Sequence, residues 1–293
     1  MKINKIGIAG LGLIGGSLAK AVKKYITGAE IVAYNRNPEP LIAALKEGII
    51  DQYTTSIDYS FSGCNIIFIC TPVGTLKEIA GALFSYAGKD CIITDVGSTK
   101  ANVFKEISAI EGINYIGGHP MAGSEKIGYG AANADLFKNA RYIITPMEST
   151  LSSHIELLKA FIETIGAVPV TLNPDIHDYA VGAISHVPHV IASSIVNTVE
   201  RLDNDGTIRT LAAGGFKDIT RIASSSPLVW ASISMENKEK IIALLDEFEK
   251  EIHLYKNFLA NDNYTEVETF FSKAKAYRDK FISEQEDSFN HIT

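Results

Sequence analysis

The sequence predicts an α/β fold class: a doubly wound, mostly parallel sheet over residues 1–172, followed by an all-α region over 173–293. Three observations carry that prediction. Short runs that are apolar on both faces alternate with helically spaced stretches through the first 172 residues, the pattern of strands covered by helices on both sides. A glycine-rich turn stands between the first run and the first helical stretch. Beyond Asn173 and Pro174 strand-like runs stop and only helical spacing remains.

In chain order, the apolar runs are 5–9, 30–34, 66–70, 91–95, 115–117, 142–145 and 168–172, each closing on turn residues. Helical spacing fills 17–25, 41–46 and 151–165 between them. In the second region, residues 236–259 place Ile241, Leu244, Leu245, Phe248, Ile252, Tyr255 and Leu259 on one stripe. The next helix carries Val267, Phe270, Phe271, Ala274, Tyr277 and Phe281 on its apolar side. A helical region of ~120 residues buries a modest share of its surface alone. A homodimer built through this half is therefore expected, since two-fold pairing is the commonest cover for such a surface. Packing of these helices on each other and on the sheet domain is the plainer alternative.

Composition narrows the function classes. The chain has 293 residues, 46% hydrophobic and 21% charged, the balance of a folded globular protein with room for two domains. A net charge of −7 argues against nucleic acid as a partner, because phosphate-binding surfaces need clustered Lys and Arg. An anionic small molecule needs only a local basic pocket. Cys64, Cys70 and Cys91 stand in unrelated settings and read as small core residues of a protein in a reducing compartment. The N-terminus enters a strand directly, without the pattern of a signal peptide. No apolar run reaches the ~18 residues of a membrane span. A cytoplasmic protein with no membrane partner is expected.

The run 5–9 leads into Gly10-Leu-Gly12-Leu-Ile-Gly15-Gly16 and then a helix. In that context the glycines have separate tasks. Gly10 permits the tight turn, Gly12 admits a pyrophosphate to the backbone, and Gly15 lets helix and strand pack closely. The helix start near Ser17 offers free N–H groups and a positive dipole end, with Leu13 and Ile14 of the turn also expected at the cofactor. This is a Rossmann-type site for a nicotinamide dinucleotide. The second run ends Tyr34-Asn35-Arg36-Asn37, with no acid to bind ribose hydroxyls as NAD sites usually have. Arg36 suits the extra phosphate of NADP, so the cofactor reads as NAD(P) with a tilt toward NADP. The alternative has Asn35 serving the ribose and Arg36 lying over adenine or in solvent. Thr71, Pro72 and Val73 after one run, and Asp95 to Ser98 after the next, fall at strand carboxyl ends where such folds bind ligands.

Four of the seven histidines fall in two clusters: GGHPMAGSE around His119, and His177-Asp178 followed by SHVPH with His186 and His189. A third stretch, GGFKDITRIA, sets Asp218 and Arg221 one helical turn apart. Each alone has an ordinary explanation as a turn, a surface pair or a core histidine. His186 and His189 also share a spacing seen in metal sites, but no further ligand pattern accompanies them, and no metal is expected.

Together with the glycine fingerprint and DVGSTK, these motifs resemble the prephenate and arogenate dehydrogenases of tyrosine biosynthesis, in order and spacing over nearly the whole chain. The resemblance implies a Rossmann domain followed by a helical dimerisation domain. It further implies NAD(P)-dependent oxidative decarboxylation of prephenate to 4-hydroxyphenylpyruvate, with arogenate as the alternative substrate. By the same resemblance His119 accepts the hydrogen bond of the substrate hydroxyl, as an imidazole titrating near working pH can. Ser98 orients hydroxyl and nicotinamide, Arg221 binds the ring carboxylate, and Asp218 positions Arg221. His186 and His189 face the side-chain carboxylate and keto group, Ser124 joins the substrate-binding residues, and Glu125 stands at the pocket mouth. The chain departs from the family pattern at Lys217, more often Arg, and at Ser226, more often Asp.

Overall fold

The computed structural model describes residues 3–124 and 126–290. The chain runs β1 (Lys5–Ala9), α1 (Leu13–Tyr25), β2 (Glu30–Tyr34), α2 (Pro38–Lys46), β3 (Gln52–Thr54), β4 (Ile66–Ile69), α3 (Leu76–Phe84) and β5 (Ile92–Asp95). It continues α4 (Ala101–Ser108), β6 (Tyr115–Pro120), β7 (Arg141–Pro146), α5 (Ser152–Thr164) and β8 (Val168–Thr171). Among the described residues these strands form one eight-stranded sheet in the order 3-2-1-4-5-6-7-8. Neighbours are parallel except β6 and β7, which run antiparallel.

That order reverses between β1 and β4, and a crevice opens there at the strands' carboxyl ends. The strands alternate faces with period two. Ile66 and Phe68 pack with Leu18, Val22 and Phe161 of α1 and α5. Ile67 and Ile69 pack with Leu76, Leu83 and Ile107 of α3 and α4. Burial on both faces is why β4 reads as an unbroken apolar run. The seven expected strands are present, and β3 is an addition. It is a three-residue edge strand with two exposed residues, too short and too polar to register as an apolar run. β6 extends past Gly117 to include His119, because pairing with β7 holds Gly118 to Pro120 in the ladder.

The helical region begins with α6 (Pro174–Val181), a single π turn (Gly182–His186) and α7 (Val187–Leu202), one continuous helix. Shorter helices follow: α8 (Thr207–Thr210), α9 (Gly214–Thr220) and α10 (Pro227–Glu236). All of these belong to the same compact unit as the sheet, which extends to Lys238. The strands thus end at 171, while the break in packing falls about a helical region later, at 238/239. The reason is that α6 and α10 bond back to the sheet's helices: Asp178 caps α4, and Asn102 Nδ2 donates to the Glu236 carbonyl at 3.0 Å. The helix Pro174–Leu202 has the length and mean hydropathy, 1.3, of a membrane span. Its His177, Asp178 and His186, however, are buried and hydrogen-bonded inside this unit.

The second unit, Glu239–Thr293, is a hairpin of α11 (Lys238–Ala260) and α12 (Tyr264–Asn290). Asp262 turns the chain with φ of 49°. Tyr255 packs with Phe270 and Phe271 at ring separations of 5.1 and 5.8 Å. Much of the expected stripe is open to solvent within the single chain: Phe271 is 58% and Tyr277 74% exposed.

Candidate active site

The glycine turn after β1 has the shape its residues require. Gly10 has φ of +103°, and a Cβ there would lie 2.7 Å from the Cys70 carbonyl group. A Cβ on Gly15 would fall 2.0 Å from the Gly10 oxygen, so only glycine lets α1 start this close to β1. Gly12 differs, because nothing lies within 4 Å of where its side chain would be. That open space fronts the first turn of α1, whose N–H groups have no helical partner. A dinucleotide pyrophosphate fits there by both shape and charge.

Gly12, Leu13 and Ile14 form one wall of a cleft of about 670 Å³. Thr71, Pro72, Val73 and Ser98 continue it along the strand ends, and His119, Ser124, His189 and Arg221 complete the far side. The cleft lies wholly within the first unit. Asn35 sits beside it as a brace: its Oδ1 accepts from Leu11 N at 3.3 Å and its Nδ2 donates to the Asn37 carbonyl at 2.9 Å. Arg36 is exposed next to it.

Asp95 corrects an expectation. Instead of facing a cofactor, it is fully buried. It pairs with Lys100 Nζ and accepts from Tyr115 Oη at 2.7 Å, Gly118 N at 3.0 Å and Gly97 N at 2.8 Å. These bonds shape the turn that presents Ser98 and lock β5 to β6 beneath His119.

His119 ends β6 at the cleft wall, 8% exposed. Its Nδ1 lies 2.8 Å from His177 Nε2, and His177 Nδ1 lies 2.8 Å from Asp178 Oδ1. Asp178 also accepts from Lys100 N at 2.7 Å and Ala101 N at 2.8 Å. These contacts assign the tautomers. A carboxylate only accepts, so His177 donates from Nδ1 and must accept at Nε2. His119 then donates from Nδ1 and keeps its Nε2 lone pair for the cleft. Burial, followed by His177, the Lys100 ammonium and His186, holds the His119 imidazole well below the ordinary histidine pKa.

The π turn explains how one helix supplies three histidines. Pro188 has no N–H for the Ile184 carbonyl, and its ring would clash there in a regular helix. The chain inserts one residue per turn instead. In an unbroken helix, His177 and His189 would lie about 120° apart around the axis at ~100° per residue. The extra residue brings them to within roughly 20°. His189 donates from Nδ1 to the Ser185 carbonyl at 2.8 Å and stacks on Trp230 at 3.6 Å between centroids.

One further placement differs from expectation. His186 is 2% exposed and does not line the cleft. Its Nδ1 accepts from Asn237 Nδ2 at 3.0 Å, the Ser98 backbone holds it as well, and burial pushes its pKa down to about 4. It braces the floor behind Ser98 rather than reaching a ligand. Asp218 is exposed on α9, outside the cleft wall. Arg221 does line the cleft; burial first, and then the Arg221 charge, lower the His189 pKa against the opposing bond to Ser185. Glu125 lies outside the described residues. Among those residues no group of three metal-ligating side chains is placed to hold a metal ion.

The sequence offered no role for the pair His177–Asp178 beyond its odd composition, and none for Asn237. Asn237 donates to both His186 and the Asp178 carbonyl, the latter at 2.8 Å. A single Asn at a helix end carries no pattern that would reveal this.

The family model described as "Prephenate dehydrogenase, nucleotide-binding domain" matches residues 18–171. A second, "Prephenate dehydrogenase, dimerization domain", matches residues 173–273. A prephenate dehydrogenase of Bacillus subtilis is 40% identical over 276 residues, covering 93% of this chain and 74% of its own. The crystal structure of a prephenate dehydrogenase from A. aeolicus, in complex with hydroxyphenyl propionate and NAD+, superposes with a TM-score of 0.91 at 33% identity. The match covers 96% of this chain and 99% of that one. An arogenate dehydrogenase from Synechocystis gives 0.83 at 27% identity, over 94% and 99% of the two chains. With two family models end to end along it and a relative at this identity, the chain belongs to the prephenate dehydrogenase family.

Proposed function

We propose that this chain catalyses the NAD(P)-dependent oxidative decarboxylation of prephenate to 4-hydroxyphenylpyruvate, in the cytoplasm, as a step of tyrosine biosynthesis. The observation that carries the reading is His119, its Nε2 lone pair turned to a cleft that runs from the glycine turn to Arg221. When bound at the turn, the nicotinamide dinucleotide accepts the hydride. His119 Nε2 takes the hydrogen bond of the substrate hydroxyl, and Ser98 stands on the same wall to orient it. Arg221 supplies donors for a substrate carboxylate. Val73, Val229 and Trp230 give the cleft an apolar lining.

Among the described residues the cleft wall carries no Asp or Glu. A ketone therefore suits it better than the ammonium of arogenate, which would lack an acidic partner. For the cofactor, the absence of a carboxylate at residues 34–37 and the exposed Arg36 support a tilt toward NADP. The A. aeolicus relative is in complex with NAD+. The open aromatic stripe of α11 and α12 supports a homodimer, with a second copy covering Phe271 and Tyr277.

Reduced-nicotinamide formation should follow addition of prephenate and not arogenate. Running the assay with both dinucleotides tests the cofactor tilt, which a strong preference for NAD would overturn. His119→Ala should lower kcat by ~10²–10⁴-fold while leaving dinucleotide binding in place. The working form of His119 is neutral, and its pKa is lowered. Activity is therefore full above the ordinary imidazole range and fades only as pH falls through the lowered pKa, which puts the acid limb of kcat/KM below pH 6.5. Arg221→Ala should raise KM for prephenate roughly 10- to 100-fold, as loss of charge-assisted hydrogen bonds does, with the dinucleotide Kd unchanged. Light scattering at low micromolar concentration should report a dimer, and Tyr277→Glu should shift it toward monomer. A fully active monomer would remove the second copy from this reading.

A further inference from the structure

Two hydrogen-bond steps lead inward from His119 at the cleft wall: His119 Nδ1 to His177 at 2.8 Å, and His177 to Asp178 at 2.8 Å. The proposed reaction has an unusual proton requirement. Oxidising the ring alcohol removes a proton from oxygen. Loss of carbon dioxide then turns the same oxygen into a phenolate, which needs a proton back. Over the whole cycle none is released. The proton has to be held somewhere and returned.

We propose that the His177–Asp178 pair is this store, taking a proton from His119 during oxidation and handing it back once carbon dioxide has left. The inference rests on the prephenate reading above. In the first half the substrate O–H bond breaks and an N–H bond forms at His119 Nε2. The Nδ1–H bond of His119 breaks and a bond forms at His177 Nε2. The O–H electron pair becomes the second bond of the ring carbonyl as hydride leaves the same carbon. In the second half the carboxylate carbon–carbon pair flows into the ring, and the carbonyl becomes the phenolate. Both proton shifts then reverse.

The charged neighbours of the two imidazoles differ in sign. Every titratable neighbour that acts on His119 disfavours its cation: His177, Lys100 and His186. His177 instead has the Asp178 carboxylate in direct contact. That carboxylate is itself locked by Lys100 N and Ala101 N at the start of α4, so it need not reorganise as charge arrives. His177 is 0% exposed. A proton placed there is out of contact with bulk solvent, and its way back is through His119 Nδ1. The pair acts through His119 and positions its proton; it does not touch substrate.

Single-turnover hydride transfer in mixtures of light and heavy water counts the protons in flight. The unmutated enzyme, saturated with dinucleotide and prephenate, should give a bowed dependence of rate on deuterium fraction, as two moving protons require. His177→Gln keeps an acceptor for His119 Nδ1 but cannot take its proton. It should lose roughly 10²-fold in rate, hold KM and dinucleotide Kd within about twofold, and give a straight-line dependence. A linear dependence in the unmutated enzyme overturns the store alone, whether or not the variant folds. So does a variant that stays bowed or within about threefold of the normal rate. An unmutated enzyme that does not turn over prephenate overturns the underlying functional reading, and the store with it.

Discussion

The carboxylate of Asp178 holds this molecule's chemistry to its scaffold. It lies on α6 and accepts the first N–H groups of α4, so a helix from the strand-free half caps a helix of the sheet. The same group fixes the tautomer of His177, and through it the lone pair that His119 turns to the cleft. Asn237 clamps the backbone of Asp178 and steadies His186 with the same amide. Removing so buried an acceptor would leave several donors unpaired, each costing about 1–3 kcal/mol. Structure and reactivity therefore share one side chain.

A second constraint comes from Pro188. Its missing N–H is a local defect in an otherwise long helix, and the π turn that absorbs it sets the angular relation of His177 to His189. Without the inserted residue the helix could present one of them to the sheet's histidine, but not the other to Trp230 and the cleft. The defect is thus part of the site's geometry, as π turns near functional residues often are.

Beneath both lies the buried ion pair of Asp95 and Lys100. Neither side chain has any exposure, and the cost of burying two charges is offset only because Asp95 also collects bonds from Tyr115, Gly97 and Gly118. The ammonium helps keep His119 neutral. An arrangement in which a positive charge is locked behind a base, and a negative charge behind its partner, sets a direction for proton movement through fixed dipoles rather than moving parts.

Local chemistry explains what is legible in the sequence alone. Runs apolar on both faces can only be covered strands, and Gly10, Gly12 and Gly15 follow from steric limits within a few residues of one another. Those features determined the sheet, the place of its crevice and the dinucleotide turn. Motif order pointed to His119, Ser98, His189 and Arg221, and all four line the cleft. The three-residue β3 escaped notice because pairing with β2, rather than its own composition, makes it a strand. Asp95, His186 and Asp218 share the polar character of ligand-binding residues, and sequence alone cannot say which way a side chain points. Only tertiary packing decided that Asp95 and His186 turn inward, that Asp218 stays in solvent, and that Asp178 and Asn237 converge from positions far apart in the chain. Hydrogen bonds between distant residues depend on where whole helices dock, and no periodicity in the chain records that.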